Sequence, residues 1–175
     1  MRSTGRETDR TEQTATVEQR EGGQETPGYA HRSFATRSIY VEFNDRYKQA
    51  SIYHNLGIMA QGQQQWGQAE QYYQQALAIY AEFNDRYEQA GTCHQLGRVA
   101  QDQRQWEQAR NYFLKALAIT AEFNDEPGLA ITLRSLSRLW QASRDADLPH
   151  AIASILQITP EDVETRLSSL LSEET

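Results

Sequence analysis

The sequence predicts an all-α fold, an α-solenoid of stacked antiparallel helical hairpins, and three observations predict it. A forty-residue unit occurs twice in succession: residues 42–81 and 82–121 align without a gap and are identical at 24 of 40 positions. Apolar and small residues recur within each unit at spacings of three and four, the period of one helix face. The opening Glu-Phe-Asn-Asp returns a third time at Glu122, Phe123, Asn124 and Asp125. A single hairpin cannot bury its apolar stripe alone, so successive copies must stack.

Residues 1–37 are rich in Thr, Glu, Arg and Gly with scarcely an aliphatic side chain, and are expected to form a disordered tail. A partial repeat follows at 38–45, where Ser38-Ile39-Tyr40-Val41 matches the close of the next unit at Ala78-Ile79-Tyr80-Ala81. The chain thus enters its array partway through a helix. An apolar end including Tyr40, Phe43 and Tyr47 is expected to lie without a hairpin stacked on it, a surface suited to self-association.

Full repeats occupy about 46–85 and 86–125. In the second, Asn84-Asp85 supplies N-cap oxygens for a first helix with the stripe Tyr87, Ala90, Cys93, Leu96, Gly97 and Ala100. Tyr47, Ala50, Tyr53, Leu56, Gly57 and Ala60 repeat that stripe one unit earlier. Polar breaks near Gln63–Gln65 and Gln103–Gln105 precede second helices opening at Trp66 and Trp106, with the apolar face Ala69, Tyr73, Ala76, Leu77, Tyr80 and Phe83, then Ala109, Phe113, Ala116, Leu117 and Phe123. Close approach of two helices needs small side chains at the crossing, which Gly57, Ala69 and Ala76 provide, with Tyr73 filling the neighbouring gap.

A third, degenerate unit begins at 126, with Pro127 in its first turn, Leu129, Leu133, Leu136, Leu139 and Trp140 on its apolar face, and Ser137 in place of the glycine. Two shorter helices are expected in 145–175: one from Pro149 to about Gln157, and one capped by Thr159 with Pro160 at its first position. They should form a C-terminal cap with a polar outer face.

The Leu-Gly pair of each first helix and the Ala, aromatic and Ala of each second helix resemble the tetratricopeptide signature over about 38–141. The forty-residue period resembles the longer-helix variety of kinesin light chains and many bacterial signalling proteins. There are departures, since Ala60 and Ala100 stand where that family usually has Tyr and no Pro closes either unit. The resemblance implies a right-handed superhelix whose first helices line a concave groove holding a peptide or partner protein. Carried over by position, the groove residues are Ser51, His54, Ile58 and Gln61, then His94, Arg98 and Gln101, then Arg134, Arg138 and Gln141. Little acid apart from Asp102 accompanies them, so an acidic peptide bonded by the three arginines is the expected partner. The resemblance also implies a role as sensor or regulatory component of a bacterial signalling system.

Other classes have weaker grounds. No phosphate loop, dinucleotide fingerprint, metalloprotease helix, nucleophile elbow or paired CxxC is present, so no catalytic activity, cofactor or metal is expected. His54 and His94 occupy equivalent positions and are read as a solvated or peptide-contacting pair rather than metal ligands. The formal charge is −7, and residues 145–175 hold seven acids against Arg166, so nucleic acid is an improbable partner. Residues 151–167 resemble a helix-turn-helix, but Glu161, Asp162 and Glu164 would oppose phosphates. No run approaches the roughly eighteen apolar residues of a membrane span. The lone Cys93 fits a reducing cytoplasm.

Overall fold

The computed structural model describes residues 27–173, with side chains described over 42–173. Seven helices follow one another: α1 (Pro27–Gly62), α2 (Trp66–Glu82), α3 (Arg86–Asp102), α4 (Trp106–Glu122), α5 (Glu126–Ser143), α6 (Leu148–Leu156) and α7 (Pro160–Ser172). Phe43–Thr175 is one compact unit. Of the preceding residues only the helical course of 27–42 is described. The tail expected over 1–37 therefore lies outside the described residues as far as residue 26, and its expected end at 37 falls inside α1.

Helix boundaries follow from local chemistry. The Asp85 carboxylate accepts from Glu88 N at 3.0 Å and that of Asp125 from Gly128 N at 3.1 Å, so each occupies free donors of a first turn. Thr159 does the same for Asp162 N at 3.2 Å. Helix ends close through a left-handed residue at Gln64, Asn84, Arg104 and Asn124. The next amide then bonds back five residues, as from Gln65 N to Ala60 O at 2.9 Å and Gln105 N to Ala100 O at 2.8 Å.

Gly57 and Gly97 show why the hairpins close. A Cβ built on Gly57 would lie 2.5 Å from the Tyr73 ring, and one on Gly97 would lie 2.6 Å from the Phe113 ring. Each ring therefore rests directly on the backbone of the helix it crosses. Tyr73, Phe113, Ala69, Ala76, Ala109 and Ala116 are all fully buried. Between hairpins, α2 packs on α3, α4 on α5, and α3 on α5. Ion pairs recur one period apart on this stack, Arg46 to Glu82 at 3.0 Å and Arg86 to Glu122 at 2.9 Å.

At the C-terminal end α6 packs on α4 and α7, and α7 packs on α5. Leu148, Ile152, Ala153, Val163 and Leu167 join Phe113, Leu133, Leu136 and Leu139 in the largest buried cluster. Glu161, Asp162, Glu164 and Arg166 face outward. Arg110 on α4 holds Asp145 of the intervening loop at 3.1 Å.

Three expectations about exposure need correction. Tyr87 was placed in the buried stripe but is 54% exposed. Phe123 was placed on the apolar face of the second helix but forms the C-cap of α4 and is half exposed. Tyr47, expected on the open end of the array, turns inward: its hydroxyl donates to Asp85 at 2.7 Å and its ring meets Tyr80 and Phe83 edge-on. Phe43 leans on Phe83 and stays largely exposed, while the Tyr40 side chain lies outside the described residues.

Candidate peptide-binding cleft

A cleft of about 350 Å³ opens on the side of the stack formed by the first helix of each hairpin. His54 comes from α1, Tyr87, Glu88, Gly91, His94, Gln95 and Arg98 from α3, and Ile131 and Thr132 from α5; Asp125 borders it at the α5 N-cap.

Both histidines are tied into the stack rather than solvated. His54 Nδ1 lies 3.0 Å from Thr92 Oγ1. The Thr92 hydroxyl donates to Glu88 O at 3.0 Å, so it accepts from His54, whose proton sits on Nδ1. His94 Nε2 lies 2.9 Å from Ser135 Oγ, whose hydroxyl donates to Ile131 O at 3.3 Å, placing the His94 proton on Nε2. Each ring also packs against the aromatic at its own hairpin crossing, His54 on Tyr73 at 5.4 Å and His94 on Phe113 at 5.5 Å between centroids. Of the expected solvated or peptide-contacting pair, the fully solvated reading is corrected, because stacking of the next first helix supplies hydroxyl partners and leaves both rings only partly exposed.

That burial holds the His54 imidazole below its usual range. His94 is pushed down to about 4, by burial first and by the Arg98 cation second. A neutral folded-state imidazole implies acid sensitivity. The unfolded chain binds a proton below about pH 6.5 that the folded chain refuses until about pH 4, so His94's contribution is complete above pH 6.5 and falls across that window. Urea unfolding at pH 7.5 and pH 5 should show a loss on the order of 1 kcal/mol that a His94→Gln chain lacks, an amount reduced for partial exposure. Equal pH slopes in the two chains would contradict this assignment. Burial also raises Cys93 to about 11, so it is a neutral thiol and no thiolate forms beside His94.

The cleft brings together part of the expected groove set. His54, His94 and Arg98 line it; Ile58, Gln61, Gln101, Arg134 and Arg138 do not. Ile58 is nearly half exposed, and Arg134 and Arg138 are exposed on α5. Gln61 is partly buried and accepts the Tyr73 hydroxyl at 3.0 Å. Gln101 is partly buried on α3. Gln141 borders a second cleft, about 440 Å³, with Trp140, Arg144 and Leu171.

Ten lining residues were not in the expected set, among them Tyr87, Glu88, Gln95 and Ile131. Two of its acids, Glu88 and Asp125, modify the expected cationic character, leaving Arg98 as the basic side chain of this cleft beside the neutral histidines. Arg98 is exposed and donates a long hydrogen bond to Gln95 Oε1 at 3.3 Å. Among the described residues no three His, Cys, Asp or Glu side chains gather as metal ligands, and no helix is long and apolar enough to cross a membrane.

Residues 48–119 match the model of the tetratricopeptide repeat. No curated protein matches the chain. Over that span the chain is similar to tetratricopeptide repeats, and a glycine and an aromatic ring meet at both hairpin crossings inside it.

Proposed function

We propose that the chain is a non-catalytic scaffold that holds a peptide or a segment of another protein along the face of α1, α3 and α5. The observation that carries this reading is the cleft between His54, His94, Arg98 and Ile131 on that face. Stacked repeats of this kind in general use such an extended face for protein binding. The chemistry of the cleft favours a mixed sequence. Tyr87 and Ile131, both about half exposed, offer apolar contact area for an anchor residue. Arg98 offers a charge-assisted bond to a carboxylate, and Arg134 and Arg138 extend basic character along α5. Glu88 and Asp125 disfavour an acid at the opposite end of the same peptide. Self-association through the α1 end of the array is the second partner reading.

Panning a random peptide library against the full chain tests the groove. Binders should carry an apolar residue beside Asp or Glu, and the triple change of Arg98, Arg134 and Arg138 to Ala should weaken them roughly tenfold or more, the scale of losing charge-assisted bonds. Binders without acid enrichment, or binders indifferent to the triple change, would overturn the assignment.

A further inference from the structure

The cleft opens where the second repeat lacks a ring that fills the same place in the first. In the first repeat Tyr47, Tyr80 and Phe83 pack in one cluster, with Tyr47 edge-on to Tyr80 at 5.8 Å and to Phe83 at 5.3 Å between centroids. The Tyr47 hydroxyl donates to Asp85 at 2.7 Å, and the Tyr80 hydroxyl lies 3.4 Å from Ser51 Oγ. Tyr87, Phe123 and Asp125 recur one period on, but Thr120 stands for Tyr80, Gly91 for Ser51 and Gly128 for Glu88. Each of the three is smaller than its counterpart, and all three line the cleft.

The exchange also leaves an acceptor unused. Asp85 takes Glu88 N on one carboxylate oxygen and the Tyr47 phenol on the other. Asp125 keeps the equivalent bond from Gly128 N, yet among the described residues no hydroxyl donates to its second oxygen. Tyr87 lies instead on Phe123, 6.0 Å between centroids, and is 54% exposed. A Cβ built on Gly91 meets nothing within 4 Å, so α3 leaves the space open there.

The filled repeat shows the chemistry that suits the open one: a flat aromatic ring with a hydroxyl aimed at the N-cap aspartate. Glu88 and Asp125 outnumber Arg98 along the cleft, so a neutral hydrogen-bond donor fits beside Asp125 better than an anion. The residues outside the described range, 1–26 and 174–175, contain no aromatic side chain and cannot supply the ring.

We propose that the cleft takes a tyrosine side chain of the bound peptide, its ring beside Thr120 and Gly91 and its phenol donating to Asp125. This rests on the peptide-scaffold reading above and names the anchor residue of that peptide, leaving Arg98 for an acidic neighbour.

Titration of the full chain with N-acetyl-tyrosinamide, followed by amide NMR, tests the site. The amides of Gly91 and Gly128 should shift with a dissociation constant on the order of 1 mM, the scale for a ligand of this size. N-acetyl-phenylalaninamide lacks only the hydroxyl and should bind roughly fivefold more weakly. Asp125→Asn keeps a good helix cap and should shrink that difference. Thr120→Tyr restores the ring of the first repeat and should abolish the shifts. Gly91→Leu, at an exposed helix position, fills the same space and serves if Thr120→Tyr does not fold. No shift at either glycine well above that concentration would overturn the tyrosine site; library binders from the panning above would then still support the groove, so the two failures are told apart. Equal binding of the two amides would overturn the bond to Asp125. Gly128 shifts that persist in Gly91→Leu would put the ring outside this cleft and overturn the proposal.

Discussion

Phe113→Ala should cost about 3–5 kcal/mol of folding stability, the usual scale for removing a fully buried aromatic ring without full collapse of the space. Phe113 is 0% exposed. Its ring touches the Gly97 backbone, packs against His94, and belongs to the cluster that joins α4 and α5 to the α6–α7 cap. Truncation therefore opens the hairpin crossing and the seat of the cap together. Domains have about 5–15 kcal/mol in hand, so the variant should retain a minor part of the parent's stability. Urea unfolding followed by circular dichroism measures this. Asn111→Ala, an exposed site on the same helix, should stay within about 0.5 kcal/mol. A Phe113→Ala loss under about 1 kcal/mol would mean that the ring is not the filler of the crossing.

Gly97→Ala should destabilise by about 1–3 kcal/mol although alanine is the better helix former by about 1 kcal/mol. The new methyl would sit 2.6 Å from two Phe113 ring carbons, closer than side-chain carbons approach, and the ring has no free space to enter. Gly91 in the same helix is the internal control. A Cβ there meets nothing within 4 Å, so Gly91→Ala should stabilise by up to about 1 kcal/mol. Two glycine-to-alanine changes six residues apart are thus expected to have opposite signs. Thermal unfolding of both variants reads that difference directly.

Much of this was legible from sequence because the signals are local. Asp85, Asp125 and Thr159 cap helices through their own side chains, and Trp66 and Trp106 open helices after polar breaks, so no knowledge of the stack is needed to place them. Glycine at the crossing was legible for the same reason, since it pairs with an aromatic at constant spacing in both units.

What escaped the sequence depends on stacking. Thr92, Val99 and Thr132 look like surface positions on an isolated hairpin, yet each is buried because the preceding hairpin covers a second face of its helix. Tyr47 and Tyr87 share an identical local sequence and differ in exposure, so local pattern cannot separate them. The histidines show the same limit. His54 and His94 are equivalent by repeat, but Thr92 and Ser135 are not forty residues apart, so the repeat cannot forecast their two partners. The cleft's acids escaped because Glu88 and Asp125 sit at helix starts, and Asp125 is engaged there in capping its own helix.

The central claim is that a glycine backbone and an aromatic ring in contact set the spacing of each hairpin. A double-mutant cycle on Gly97→Ala and Phe113→Leu measures that contact most directly. Shrinking the ring should make room for the added methyl, so the double variant should be more stable than the sum of the single losses implies by at least about 1 kcal/mol. Losses that add within about 0.3 kcal/mol would mean the two groups do not touch, and would contradict the account.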